Sequence, residues 1–196
     1  MKPTIAQLLA QITVLEDELR TALREQETHL FYQIKGKRVE FEDTIRQTHR
    51  KLKRRIFHWI VADRPQNLLT GPIIYSLAIP LLVLDGAVTL YQAICFPIYK
   101  IPKVRRRDYL VFDRHHLAYL NIIEKINCAY CSYANGAIAF VREVAARTEV
   151  YWCPIKHARR VLGPHPHYQG FADFGDADAF RGKLAGMKDG VKIAGA

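Results

Sequence analysis

The spacing of hydrophobic positions along this chain changes several times, and each change marks a different kind of element. Over residues 4–34, Ile5, Leu8, Ile12, Leu15, Leu19 and Ala22 recur at intervals of three and four, the seam of an amphipathic helix or coiled coil. Leu9 and Leu23 widen that seam, while Gln26 and His29 weaken it further along. Gly36 interrupts the pattern. Phe41, Ile45, Leu52, Ile56 and Trp59 then share one face of a second helical stretch. Together they predict an N-terminal helical hairpin, whose first helix either packs against the chain's own second helix or, equally, dimerises with a second copy; a protein partner could also use that surface.

From residue 68 to 101 almost every position is apolar, and Asp85 is the only formally charged side chain before Lys100. A straight helix of that length spans about 50 Å against a hydrocarbon core of about 30 Å. Pro80 and the Asp85-Gly86 pair stand near the midpoint and predict a break there. The expectation is a membrane-inserted helical hairpin with two arms of about 24 Å each. Its tip carries Asp85 toward the far interface and avoids the cost, about 3 kcal/mol, of a carboxylate at mid-bilayer. A single tilted span and a buried soluble hairpin are the competing readings.

After Arg107 the pattern is that of a globular chain. Residues 108–113 form a run too short to assign. Residues 117–131 and 137–151 both carry apolar positions at helical spacing, with Asn135-Gly136 as a turn signal between them. Past Gly163 the chain is rich in Gly, Pro, His and Asp, and from Gly182 it reads as a poorly ordered tail. The predicted fold is mainly α in four parts. These are N-terminal coiled-coil-like and basic amphipathic helices (residues 1–64), the apolar hairpin (65–103), a small metal-stabilised helical module (104–181) and the tail (182–196).

Charge sharpens this picture. The formal net charge of +10 is concentrated in two blocks: Arg46, Arg50, Lys51, Lys53, Arg54 and Arg55, then Lys100, Lys103, Arg105, Arg106 and Arg107. They bracket the apolar stretch, which points to anionic lipid, each cation contributing about 1 kcal/mol near an anionic leaflet. No nucleic-acid partner is expected, since no groove-reading or RNA-binding aromatic signature is present. Basic flanks on both sides predict cytoplasmic ends. The first residues, with Glu16, Asp17 and Glu18 in the helical pattern, do not read as a signal peptide, so the thiols are expected in a reducing compartment.

Two short clusters carry the candidate chemistry. Cys128-Ala-Tyr-Cys131 and Cys153-Pro-Ile-Lys-His157 supply three thiolates and one imidazole, an established donor set for tetrahedral zinc. On a helix, the i, i+3 spacing turns Cys128 and Cys131 the same way. Pro154 suits the first turn of a new helix, with Cys153 at its cap and His157 one turn on. Iron or an iron-sulfur cluster is the alternative cofactor, and Cys95 a possible further thiol. A redox Cys-x2-Cys and plain buried cysteines are the other readings. His115 and His116, or His165 and His167, could add ligands. Glu124, Glu143 and Glu149 could serve as acids or bases. No phosphate-binding loop, dinucleotide fingerprint or nucleophile elbow is present.

The strings NCAYCSYANG (residues 127–136) and YWCPIKHA (residues 151–158), preceded by KVRRRDYLVFDRHHLAYLN, resemble a family of uncharacterised bacterial membrane-associated proteins. The resemblance implies a bacterial inner-membrane setting and carries no activity with it. The expected function is a membrane-anchored, zinc-binding scaffold or adaptor at the cytoplasmic face. The alternative is a metal-dependent or thiol-redox enzyme acting on a lipid or another membrane-soluble substrate.

Overall fold

The computed structural model describes residues 11, 14–19, 21–23, 25, 32–35, 38–41, 43–53 and 66–186. The chain is mainly helical and divides into two compact units: Met1–Trp59 with Asp113–Lys125, and Ile60–Phe112 with Ile126–Ala196.

In the first unit the described residues between 11 and 25 are helical, as the three-four spacing predicts. Val14, Leu15, Leu19 and Leu23 are all about half exposed or more. Ile5, Leu8 and Ile12 of the same seam lie outside the described residues. The expected helical hairpin is replaced at its joint by an antiparallel ribbon, β1 (Tyr32–Lys35) and β2 (Arg38–Phe41), in which Tyr32 pairs with Phe41 and Ile34 with Val39. The reason is local. Tyr-Gln-Ile-Lys and Arg-Val-Glu-Phe alternate with period two, a strand pattern that outweighs the longer helical one. The second helix therefore starts only at α1 (Asp43–Lys51). Its expected continuation through Ile56 and Trp59 lies outside the described residues.

The second unit is organised by α2 (Gln66–Ser76) and α3 (Ala78–Ile98). Leu77, between them, keeps right-handed helical dihedrals, and Leu69–Ile98 forms one helix long and apolar enough to cross a membrane. The predicted hairpin turn is absent. Pro80 falls in the first turn of α3, where a missing N–H costs little, and its effect is spent on the irregularity at Leu77. Asp85-Gly86 is simply helical.

The helix ends where Lys100 adopts a left-handed φ of 54°. Ile101 N then bonds to Phe96 O at 2.8 Å and Lys100 N to Pro97 O at 3.3 Å, a Schellman closure with Ile101 and Phe96 as its apolar contact. From there residues 101–112 form a strap that runs back along α3. Gln92 holds it by two bonds to Val104, accepting from N at 2.6 Å and donating to O at 3.2 Å.

The helix α4 (Ile122–Trp152) is uninterrupted through Asn135-Gly136, where a turn was expected. Its start is fixed by a reciprocal cap in the first unit. Asn121 accepts from Glu124 N at 2.9 Å and Glu124 accepts from Asn121 N at 2.8 Å, satisfying two otherwise orphaned donors. In the second unit α3 and α4 run in the same direction, with Phe96, Ile101, Val104, Phe140 and Val144 as the buried core between helices and strap.

No helix begins at Pro154. That residue is fully buried and enters an extended segment, where Lys156 N and Ala172 N bond Ala172 O and Pro154 O at 2.8 Å each. A short helix, α5 (Ala177–Gly186), follows and includes the first residues of the expected tail. The rest of that tail lies outside the described residues.

Gly136 explains why its turn signal goes unused. A Cβ there would stand 2.5 Å from the Tyr109 carbonyl oxygen and 3.2 Å from Leu110 Cα, so the glycine serves close approach of the strap. Gly136→Ala should therefore destabilise the protein by about 1–3 kcal/mol through overpacking, despite a helix-propensity gain of about 1 kcal/mol. Thermal unfolding followed by circular dichroism reads the difference.

Candidate functional site

Asp85 sits on an otherwise apolar helix and is 5% exposed. The guanidinium of Arg106, from the strap, grips it with both arms: Nε to Oδ1 at 3.0 Å and Nη2 to Oδ2 at 2.5 Å. Tyr133 of α4 donates its hydroxyl to Oδ2 at 3.0 Å. Three elements thus meet at one carboxylate. The fork geometry suits a carboxylate and explains why this arginine leaves the basic block to reach it. The expected route for Asp85, out to the far interface, is corrected here: the charge stays on the helix and is neutralised in place. The Arg106 side chain as a whole remains about half exposed.

A second set of charges lines the C-terminal half of α4. Glu143 accepts from Arg147 Nε at 2.8 Å and lies 3.1 Å from His167 Nε2. Arg147 also donates to Pro102 O at 2.8 Å, tying α4 to the start of the strap. Glu149 pairs with His165 Nε2 at 2.9 Å. Burial opposes charge on Glu143, but the bonds from Arg147 and His167 outweigh it and hold its carboxyl below the ordinary range. The two histidines read as possible metal ligands are thus glutamate partners. Among the described residues neither is hydrogen-bonded to a thiol or hydroxyl.

The four expected metal ligands are not brought together. Cys128 and Cys131 stand on the N-terminal half of α4, half-buried and exposed respectively, while Cys153 follows its last residue. Twenty-two residues of helical rise separate Cys131 from Cys153, about 33 Å. A single ion cannot bridge that distance, given metal-ligand bonds of about 2 Å. His157 lies on the far segment, stacked on Tyr168 with ring centroids 6.1 Å apart and its backbone N donating to the Tyr168 hydroxyl at 2.7 Å. Among the described residues no group of three or more His, Cys, Asp or Glu is placed to hold a metal. The donor set was suitable, but the intervening element keeps it apart. Burial first, then the neighbouring Glu149, pushes the Cys153 thiol above its usual value.

Tyr75 and Tyr130 were assigned no specific partner by the sequence pattern. Tyr75 donates to Asn127 Oδ1, and Tyr130 donates to Ile74 O at 2.8 Å, the two rings meeting edge-on at 5.2 Å. Asp85 itself was noticeable in the sequence as a lone charge, but nothing there singled out Arg106 from its neighbours. Comparison with known proteins yields no match to a family model, a curated protein or a solved structure.

Arg106→Gln should destabilise the fold by about 1.5–3 kcal/mol, because Asp85 loses its charged hydrogen bonds, whereas Asp85→Leu combined with Arg106→Leu should recover much of that loss. Chemical denaturation of the two variants in detergent measures both. A separate expectation concerns acid. The folded-state pKa of Glu143 lies below its unfolded value, so its stabilisation is complete above the unfolded pKa of about 4.3 and disappears as pH falls through the lower folded one. Melting temperature should drop over that acidic window, and Glu143→Gln should flatten the drop.

Proposed function

We propose that this chain is a membrane-anchored scaffold or adaptor, held in a bacterial inner membrane by its apolar helix and presenting its strap and C-terminal segment at the cytoplasmic face. The observation that carries the reading is the perimeter of α2 and α3. Only a narrow stripe, including Asp85, Gln92 and Phe96, is buried, whereas Leu69, Ile73, Leu77, Ile79, Leu82, Val83, Leu90, Ile94 and Ile98 are each more than half exposed. An apolar surface of this extent is expected to be covered by lipid or protein.

Support also comes from how polar groups are handled nearby. Residues 69–84 and residues 126–141 of α4 carry no formal charge, each about 24 Å of helix. The polar side chains of Asn127, Tyr130, Tyr75 and Asn135 bond within the protein rather than outward, as an apolar surround demands. Asp85 closes the uncharged run of α3, and the exposed Lys103, Arg105 and Arg107 of the strap suit anionic headgroups beside it. The helix then enters the bilayer from Asp85 toward Leu69. The exposed leucines of the N-terminal helix offer a partner surface, for another protein or a second copy of the chain. A centre built on zinc, iron or an iron-sulfur cluster has no support from the geometry of Cys128, Cys131, Cys153 and His157, and the scaffold reading does not need one.

The protein should stay in the membrane pellet after an alkaline carbonate wash. Leu77→Arg, at the middle of the uncharged run, should weaken insertion by about 2.5–3.5 kcal/mol and move a large fraction to the supernatant. In intact cells Cys153 should resist an impermeant maleimide and react after lysis. Labelling from outside, or an unaltered pellet fraction for Leu77→Arg, would refute the reading.

A further inference from the structure

In the first unit, α1 and the stretch that leads into α4 enclose a cavity of about 460 Å³ lined by Arg46, Arg50, Lys53, His115, His116 and Lys125 with Ala118. Arg46, Arg50 and Lys53 are spaced i, i+4, i+7 and so lie on one side of α1 and its end. The opposite wall comes from some sixty residues downstream, the turn at Arg114–His116 and Lys125. His49, on the neighbouring side of α1, meets Tyr119 edge-on at 5.2 Å and helps set the two walls against each other.

Four formal positive charges and two imidazoles therefore face one hollow. Like charges at i, i+4 repel, and adding Lys125 increases the repulsion. Among the described residues none of Arg46, Arg50, Lys53 and Lys125 forms an ion pair. Glu124, next to Lys125, spends its carboxylate on the backbone N of Asn121. A fold gains nothing from such a concentration of charge unless an anion completes it. Two guanidiniums on one side suit the forked recognition of phosphate oxygens, and Lys supplies point charges to the same group. A volume of this size is ordinary for a small-ligand site.

We propose that Arg46, Arg50, Lys53, His115 and Lys125 form a binding site for a phosphate-bearing anion. The phosphate belongs either to a lipid headgroup or to a soluble phosphate compound, and the contacts are the same in both cases. This site shares no residue with the apolar helix or the basic strap, and its binding of a soluble phosphate is tested independently of membrane insertion.

The test uses the full chain purified in detergent, with the double variant Arg50→Gln/Lys125→Gln, the single variant Lys53→Gln and, as a control for general charge, Arg159→Gln/Arg160→Gln, two exposed cations of the second unit. Pyrophosphate binding is followed by calorimetry. Separately, the protein is reconstituted into vesicles of pure phosphatidylcholine or of phosphatidylcholine with one-fifth phosphatidic acid, and binding of the lipid is read from its protection of the protein against heat. The wild type and the Arg159→Gln/Arg160→Gln control should bind at least one of these phosphates equally well. The double variant should bind about tenfold more weakly or worse, and Lys53→Gln should fall between them should the double variant lose its helical circular dichroism signal. Response to phosphatidic acid alone identifies a lipid headgroup, and response to pyrophosphate alone a soluble ligand. Absence of both responses in the wild type, or equal loss in the Arg159→Gln/Arg160→Gln control, overturns the proposal.

Discussion

A carboxylate on an apolar helix must meet a cation, and the bond between Asp85 and Arg106 is where this protein meets that requirement. The rest of the second unit follows from the reach involved. For Arg106 to grip a residue thirteen positions before the end of α3, the chain has to reverse at Tyr99 and Lys100 and lie back along the helix. Reversal brings Ile101 onto Phe96, gives Gln92 the Val104 peptide to bind, and lays Tyr109 against Gly136 and Phe140. The strap is thereby the spacer that sets α3 and α4 side by side. One electrostatic need thus organises a core that few apolar side chains would otherwise have specified.

Lys100 shows what the reversal costs. A left-handed φ disfavours a residue with a Cβ by about 1–2 kcal/mol, and glycine would be the usual choice. The closure is kept nonetheless, because Ile101 and Phe96 bury one another just beyond it. At the other end of α4 the same economy of polar groups recurs. Glu143 and Glu149 take His167 and His165, Arg147 reaches the strap carbonyls, and Lys156 pairs with Asp173 at 2.8 Å. These contacts hold the segment after Pro154 against the helix in a part of the chain with little apolar material of its own.

The two units differ in what they leave uncovered. One has an apolar helix whose outer surface is uncovered along its length, and the other gathers arginine, lysine and histidine around a hollow. The two proposed roles, anchoring and anion recognition, draw on different physics, the first on transfer of aliphatic surface and the second on charge.

Periodicity alone was enough to mark the helical stretch before residue 26, the apolar run that became α2 and α3, and both halves of α4, because those patterns depend on neighbours three and four positions away. It failed where a distant contact decided. Pro80, Asp85-Gly86 and Asn135-Gly136 all carry local break signals. Yet the helix absorbs the first in its opening turn, Arg106 neutralises the second, and the third exists to let the strap backbone approach. The cysteines and histidine had suitable chemistry for a metal, but whether two short motifs converge depends on the residues between them, and those form an unbroken helix. The ribbon at residues 32–41 was legible in its alternation and was masked by the longer helical reading. Composition and spacing determined most of the helical segments and which stretch is long and apolar enough to cross a membrane, since these are properties of contiguous residues. Only the tertiary structure decided which cation answers Asp85 and which basic residues share a cavity, because those pairings join positions that no local pattern relates.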